Sequence, residues 1–355
     1  MNNINVVKPY IPNVEKYESL ISKVLESNNF TNNGPFVQLL EEKLKAFLDV
    51  ENVVLVSNGT IALQLLYKAL GIRKKVLTTP FSFLATMSSL KWEGIEPVFT
   101  DICDDTFNLS PNLVSKDDLL DVEAILPVHV FGQPCFLEEF EFIAKENNVH
   151  LIYDAAHAFG VTKEGRSVLS YGKASTLSFH ATKVFQTIEG GAIITNDTDL
   201  ADKLRSLRSF GVVDIEGEKV FGINAKMSEV HAVMGITQLD VFEESVNRRK
   251  LIYHKYKNEL NDKYKFQNLN MEVEWNYSYA PILFKSEKEL NDKILSLNAL
   301  DIYPRRYFMP SLDTLINSSN ICNISRDISS RILCLPLFAD LSDNDVDRII
   351  KILKE

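Results

Sequence analysis

The sequence LIYDAAH at residues 151–157 is an apolar run that ends in a carboxylate and, three residues later, a histidine. On either side of it, between about residues 50 and 200, short β-branched runs alternate with segments of helical periodicity. This alternation is typical of βαβ units, in which helices cover both faces of a mostly parallel sheet. We therefore expect an α/β fold with its chemistry at the strand ends. The predicted strands are Val53–Val56, Val76–Thr79, Pro97–Thr100, Ala124–Val130, His150–Tyr153, Ser175–Phe179 and Ala192–Thr195.

Length and composition indicate two domains. The chain has 355 residues and is 45% hydrophobic, which is enough for a large core. We predict a large α/β domain over residues 1–240 and a smaller C-terminal α+β domain over residues 241–355. The second domain begins where a polar helical segment appears, around residues 248–259. It ends in an amphipathic helix for which Ser342 is the predicted N-cap.

Several classes of protein are disfavoured by charge and cysteine usage. A net charge of −10 argues against nucleic acid as a partner, because backbone binding needs an extended basic surface. The four cysteines lie far apart and form no C-x-x-C pair, so neither a metal site nor a disulfide framework is predicted. Residues 1–8 lack the features of a signal peptide, and no run approaches the roughly 20 apolar residues of a membrane span. We expect a cytoplasmic protein without a membrane partner.

Lys183 follows the predicted strand Ser175–Phe179 and stands six residues before a Glu-Gly-Gly loop that begins at Glu189. A lysine together with a strand-end carboxylate such as Asp154 is the minimal equipment for pyridoxal phosphate chemistry. The amine forms an imine with the cofactor aldehyde, and the carboxylate keeps the ring nitrogen protonated. The alternative for Asp154 is the N-cap of a following helix. The small residues of the loop would leave room for cofactor and sugar.

Two strand-to-helix turns carry further candidates. The turn SNGT at residues 57–60 could hold a phosphate on its backbone N–H groups, although it could equally be an ordinary helix cap. In the second turn Phe83 could lie flat against a planar cofactor, whereas filling of the core is the alternative. His157 could brace Asp154 or a ring hydroxyl, or could be a satisfied core residue.

In their order and spacing these motifs resemble the DegT/DnrJ/EryC1/StrS family of sugar aminotransferases, which are fold-type I pyridoxal phosphate enzymes with the aspartate aminotransferase-like fold. The resemblance runs from about Asn28 to the C-terminus. It implies that Lys183 carries the cofactor, that Asp154 bonds the pyridine nitrogen and that Phe83 stacks on the ring. It also implies that the cofactor contacts include Gly59, Thr60, Ser178 and His157.

The resemblance also implies partners. Asn224 lies in a segment similar to the one that reaches the neighbouring subunit's cofactor phosphate, so a homodimer is expected; a plain loop before the helix at residues 228–239 is the alternative. The variants in these motifs look closest to the viosamine-type subset. Members of that subset move the amino group of L-glutamate onto C4 of dTDP-4-keto-6-deoxyglucose, for dideoxyamino sugars of O-antigen or other surface glycans. The substrate candidates are Asn33, Glu189, Arg305, Arg306 and Tyr307.

Several functions remain as alternatives. Amination at C3 of a dTDP-3-keto-6-deoxyhexose, and a UDP rather than a dTDP carrier, stay open. A related sugar dehydratase would have histidine at position 183, and an oxidoreductase would need the dinucleotide fingerprint G-x-G-x-x-G, which the sequence lacks. A non-catalytic sensor that retains the fold would be expected to have a damaged site or an added DNA-binding segment.

Overall fold

The computed structural model describes residues 3–269, 272–316, 318 and 320–355. Its central sheet has seven strands in the spatial order β1-β7-β6-β5-β4-β2-β3. Only β7 runs antiparallel to its neighbours, which confirms the predicted, mostly parallel sheet. The strands are β1 Asn52–Val56, β2 Lys75–Thr78, β3 Glu96–Phe99, β4 Val122–Leu126, β5 His150–Asp154, β6 Ala174–Ser178 and β7 Gly191–Thr195.

Helices flank this sheet and continue into the C-terminal part. A three-stranded antiparallel sheet pairs Lys265–Phe266 and Ile332–Leu335 with the central Ala280–Leu283. Smaller ladders join Ile4–Asn5 to Ile302–Tyr303, Val212–Ile215 to Glu218–Phe221, and Thr162–Lys163 to both Arg166–Ser167 and Val273–Glu274. The α-helices are Val14–Ser27, Pro35–Leu48, Gly59–Ala69, Leu84–Trp92, Leu137–Glu146, Thr198–Leu207, Glu229–Leu239, Phe242–Leu260, Glu287–Asn298, Asn323–Arg331 and Asp343–Lys354, with 3-10 turns at Pro111–Leu113, Val130–Gly132, Val168–Ser170 and Leu312–Thr314.

Strand β4 is shorter than predicted. The sequence pattern extends it to Val130, but it ends at Leu126 because Pro127 has no N–H to continue the ladder. Beyond the proline, Val128 makes a single bridge to Asp154, and the His129 N–H donates to the Asp154 carbonyl oxygen at 3.0 Å. These two contacts close the end of β5 from one side. They fix the backbone that carries the Asp154 carboxylate.

Other element boundaries agree more closely with the prediction. Ser342 caps the last helix, where its side chain accepts a hydrogen bond from the Asp345 N–H. The polar helix is longer than the predicted 248–259 and begins at Phe242, because the segment before residue 248 buries Phe242 and Ser245. One buried apolar cluster runs from the sheet at Leu151 to the C-terminal Tyr253. The division into domains at residue 240 therefore stays a prediction. In the described part of the chain, no helix combines the length and the apolar character needed to span a bilayer.

Candidate active site

The turn after β1 presents two unoccupied donors. Asn58 caps the helix Gly59–Ala69, and its Oδ1 accepts the Ile61 N–H at 2.9 Å, which confirms the helix-cap interpretation. The first two N–H groups of that helix, on Gly59 and Thr60, have no acceptor among the described residues. A helix N-terminus with free N–H groups attracts an anion through both hydrogen bonds and the helix dipole. The cap and the anion site are therefore compatible.

Glycines bring two neighbouring strands against this turn. A Cβ on Gly59 would lie 3.0 Å from the Ser178 Cβ, and one on Gly191 would lie 2.6 Å from the Asn58 carbonyl carbon. On Gly190 a Cβ would meet the Thr187 Oγ1 at 2.1 Å. The glycines of the Glu-Gly-Gly loop thus allow close backbone packing behind the turn. Our expectation that they leave room for cofactor and sugar is wrong, because the space beside them is filled by the protein itself.

Asp154 is a buried carboxylate at the end of β5, where it is 6% exposed. Its Oδ2 accepts the Thr86 hydroxyl at 2.8 Å, and its Oδ1 accepts the Ala156 N–H at 3.1 Å. Burial raises the pKa of Asp154, while these two donors and the charge of Lys183 act in the opposite direction. Residues 155–160 form turns rather than a helix, so the N-cap alternative is wrong.

Lys183 is half-buried beyond the end of β6. Within the described part of the chain its amine has no hydrogen bond and no ion pair. Burial lowers the pKa of Lys183 to about 8, with the Asp154 charge opposing the shift. An amine with this pKa is mostly protonated near physiological pH, but a much larger fraction is neutral than for an ordinary lysine. It can therefore act as a nucleophile and as a proton carrier.

His157 packs against a group of aromatic rings. Its Nδ1 accepts the Phe131 N–H at 3.2 Å, which leaves the ring proton on Nε2. The ring lies parallel to Phe308 at 5.8 Å and 4.9 Å from Tyr279, centroid to centroid. Burial and the nearby Lys183 lower the pKa of His157, so the imidazole is neutral at physiological pH. It is at once a packed core residue and a lining residue of the site.

A cavity beside Lys183 and His157 includes residues that the sequence did not single out. Lys183, His157 and Ser178 line it together with Tyr279, Asn276 and Ser278 from the C-terminal part of the chain. The Asn276 amide donates to the carbonyl oxygens of His157 and Phe159 at 2.8 and 2.9 Å. No sequence motif marked these three residues, because they reach the site only through the tertiary fold. Thr86 was also missed, although it stands in the same turn-and-helix segment as Phe83.

Phe83 and Phe81 have different environments. Phe81 is fully buried, whereas Phe83 is 57% exposed at the N-cap position of the helix Leu84–Trp92. The core-filling alternative for Phe83 is therefore wrong, whereas the nearby Phe81 does fill the core. An exposed ring on the turn after β2 is available to contact a ligand.

The predicted substrate-binding residues differ in whether their side chains already bind other parts of the protein. The Arg306 guanidinium binds the Glu287 carboxylate at 2.8 Å and the Ser330 carbonyl at 2.7 Å. In contrast, Arg305 is exposed and has no carboxylate partner within the described residues. Tyr307 contacts Tyr279 edge-on at 5.6 Å, and through it reaches the cavity wall at His157.

The other two substrate candidates, Asn33 and Glu189, and the predicted cofactor contact Asn224 lie in three separate surroundings. The Asn33 carboxamide oxygen accepts a hydrogen bond from the Arg208 guanidinium at 3.1 Å. The same guanidinium donates to the Glu41 carboxylate. Glu189 is exposed and faces His180 at 3.7 Å. Asn224 is exposed beside Ala225, whose carbonyl accepts the Ser57 N–H at 2.9 Å, so its segment backs the anion-binding turn of its own chain.

Comparison with known proteins gives a consistent result over nearly the whole chain. The DegT/DnrJ/EryC1/StrS aminotransferase family matches residues 13–354. The chain is 39% identical to a dTDP-4-amino-4,6-dideoxy-D-glucose transaminase of Shigella dysenteriae, over 99% of this chain and 98% of that protein. It is 36% identical to a transaminase of the same name from Escherichia coli, over the same shares of the two chains.

Among solved structures, the chain is similar to DesI crystallised in the presence of its TDP-sugar product. The TM-score is 0.93 and the sequence identity 31%, with coverage of 100% of this chain and 93% of that chain.

Proposed function

Because this chain belongs to the DegT/DnrJ/EryC1/StrS aminotransferase family, we propose that it uses pyridoxal phosphate to transfer the amino group of L-glutamate to a sugar nucleotide. The acceptor is dTDP-4-keto-6-deoxy-D-glucose, which is aminated at C4 for dideoxyamino sugars of O-antigen or another surface glycan. The observation that carries the proposal is the pairing of two groups. The Lys183 amine lines the cavity and has no hydrogen bond or ion pair among the described residues, and the charge of the buried Asp154 carboxylate acts on it. Two relatives with the C4 transaminase name support the choice of acceptor.

The residues present fit a pyridoxal phosphate group. Free N–H groups on Gly59 and Thr60 would hold its phosphate, with Ser178 packed beside them. The Asp154 carboxylate would accept the ring N–H, and the exposed Phe83 ring would cover one face. When bound, the cofactor supplies an electron sink and carries the amino group between the two substrates.

Lys183 has two tasks in this proposal. It would attach the cofactor covalently, and it would move a proton at the substrate carbon that gains or loses the amine. A proton carrier works best when its pKa lies near the working pH, and the value of about 8 for Lys183 meets this condition. Burial provides the shift, so solvent access to the cavity would have to stay restricted during the reaction.

The diphosphate and base of the nucleotide would lie toward Arg305 and Tyr307. Arg305 offers an exposed guanidinium that pairs with no carboxylate in the described part of the chain. Tyr307 contacts Tyr279, which lines the cavity. Arg306 is a structural residue in this scheme, since its guanidinium already holds Glu287 and a backbone carbonyl. Asn33 and Glu189 remain candidates for the hexose.

A substrate panel tests the proposed reaction. We expect purified enzyme with L-glutamate to aminate dTDP-4-keto-6-deoxy-D-glucose with a kcat/KM at least about tenfold above that for the UDP analogue or a dTDP-3-keto-6-deoxyhexose, because one mismatched polar group in a site costs roughly 1–3 kcal/mol. Mass spectrometry and NMR of the product would identify the aminated carbon. Preferential amination at C3 would refute the choice of acceptor, and no amination of any keto sugar would refute the function.

The homodimer that we propose would bury an apolar face of the ribbon Val212–Ile215 and Glu218–Phe221. Val212 pairs directly with Phe221, and the Phe210 N–H donates to the Ile223 carbonyl. Cross-strand partners share a face, so Val212 and Phe221 lie on one side of the ribbon, and Phe210 and Ile223 stand just beyond its open end. They are between 43% and 72% exposed in the single chain, and they flank the segment that carries Asn224.

We expect the double substitution Phe210→Ser and Phe221→Ser to raise the dimer dissociation constant by about tenfold or more, because each buried Phe contributes roughly 1.5–3 kcal/mol. Sedimentation velocity over a concentration series measures the change. Leu295→Ser is the matched control, since this equally exposed side chain lies on the helix Glu287–Asn298 far along the chain. A ribbon variant that dimerises as tightly as the wild type would rule out this face as the interface.

A further inference from the structure

Asp154 stands at the end of a short chain of buried hydroxyl groups. The Thr86 hydroxyl lies 2.8 Å from Asp154 Oδ2, and the Ser82 hydroxyl lies 2.7 Å from Thr86 Oγ1. Thr86 is fully buried and Ser82 is 3% exposed. Both side chains are enclosed by the protein, and neither residue lines the cavity beside Lys183.

The direction of these hydrogen bonds follows from their chemistry. An ionised carboxylate can only accept, so Thr86 must donate its single proton to Asp154. The Thr86 oxygen is then free to accept, and Ser82 is the donor to it. Each hydrogen bond polarises the next, and a bond to an ionised acceptor is stronger than one between neutral groups.

We propose that Thr86, supported by Ser82, is a positioning residue that keeps Asp154 ionised and oriented for the protonated nitrogen of the cofactor ring. This inference rests on the proposed function, and it assigns to Thr86 a role that the site residues named above do not cover. Thr86 holds Oδ2 from one side and the Ala156 N–H holds Oδ1 from the other. The two donors therefore fix the orientation of the carboxylate, and each oxygen keeps a second lone pair for a further donor.

Few charged groups near Asp154 can stabilise its ionised form, so neutral hydrogen-bond donors must do so. The titratable groups that face it within the described residues are Lys183, Tyr67 and Cys135. Burial raises the pKa of Tyr67 and of the Cys135 thiol, so both are neutral and donate no charge. Lys183 is the single cation of the three, and it must spend part of the reaction uncharged. Hydrogen bonds from Thr86 and Ala156 are the stabilisation that persists when Lys183 is neutral.

The segment that carries Ser82 and Thr86 also carries Phe83, which we propose covers one face of the cofactor ring. Ser82 immediately precedes Phe83, and Thr86 lies in the first turn of the helix Leu84–Trp92, where its N–H donates to the Phe83 carbonyl at 3.2 Å. One turn after β2 thus places both the aromatic cover of the cofactor and the support of its carboxylate. A shift of this turn would disturb both contacts together.

The test compares Thr86→Val, Thr86→Ser and Ser82→Ala with the wild type. Valine keeps the shape of threonine and removes the hydroxyl, while serine restores it. Thr237→Val is the matched control, because the Thr237 hydroxyl is buried in a helix and donates to the carbonyl oxygens of Val233 and Met234 in that helix. In cofactor-free protein labelled with 13C at aspartate carboxyls, the Asp154 resonance is assigned by its loss in Asp154→Asn and titrated with pH. In the holoenzyme, kcat and the cofactor absorbance are followed over the same pH range.

We expect Thr86→Val to move the Asp154 titration to higher pH, because burial then acts with one donor fewer. The kcat is expected to fall roughly tenfold or more, as for loss of a hydrogen bond to a charged group, with a smaller change in the same direction for Ser82→Ala. Thr86→Ser and Thr237→Val should both behave like the wild type. An unmoved titration in Thr86→Val, or an equal loss in Thr237→Val, would overturn the inference. The titration needs no cofactor, so a failed substrate panel would leave this outcome readable.

Discussion

Replacing Lys183 with alanine is expected to abolish covalent attachment of pyridoxal phosphate and to reduce transamination by about 10²–10⁴-fold from the lost proton transfer alone. The loss of covalent attachment adds to this effect. Borohydride reduction followed by peptide mass spectrometry would show a cofactor-labelled peptide in the wild type and none in Lys183→Ala. Lys173→Ala is the matched control, because that lysine pairs with Asp197 at the surface and lies outside the cavity.

The pH dependence of attachment tests the environment of Lys183 separately. Its pKa is lowered to about 8, so the amine loses its proton as the pH rises through that value and becomes nucleophilic above it. We expect the rate of cofactor attachment to cofactor-free protein to rise with pH and to level off above about pH 8. A rate that continues to climb toward pH 10 would indicate an ordinary lysine. A trappable adduct in Lys183→Ala would refute its role altogether.

The parts of the site that could be predicted from sequence lie next to strand ends. Asp154 closes an apolar strand, and Gly59 follows one, so their positions are set by local pattern and by the shared edge of a parallel sheet. The same reasoning placed all seven strands of the sheet. It failed at the end of β4, where Pro127 stops the ladder although the apolar run continues to Val130.

The remaining residues of the site depend on long-range packing. Tyr279 and Asn276 meet His157 across more than a hundred residues of sequence, and no periodicity connects them. Arg306 looked as available as Arg305, and only the fold shows that Glu287 and a carbonyl oxygen already hold it. Whether a side chain is free to bind a ligand depends on the tertiary structure, so a sequence motif cannot show it.

Converting Asp154 to asparagine is expected to reduce transamination by about a hundredfold or more while leaving the fold intact. The amide has nearly the same shape and can still accept the Thr86 hydroxyl. It cannot stabilise a protonated ring nitrogen, and loss of one buried charge partner costs roughly 3–5 kcal/mol. Steady-state kinetics with glutamate, together with the absorbance of the bound cofactor across pH, measure both consequences. Near wild-type transamination in Asp154→Asn would refute the role of this carboxylate.

The stability of the cofactor-free protein separates this loss from misfolding. Burial raises the pKa of Asp154, so the folded state binds a proton more tightly than the unfolded chain does. The ionised group therefore costs folding free energy at neutral pH, and that cost disappears as the pH falls through the folded-state pKa. We expect Asp154→Asn to unfold in urea at the same midpoint as the wild type or at a higher one. Asp313→Asn is the control: that buried carboxylate holds the Arg326 guanidinium at 2.7 Å and the Ser311 hydroxyl, so its loss should lower the unfolding free energy by about 1 kcal/mol. In this comparison Asp154 lowers the stability of the fold, whereas Asp313 supports it. A carboxylate that is kept despite its cost to stability is expected to be retained for its charge.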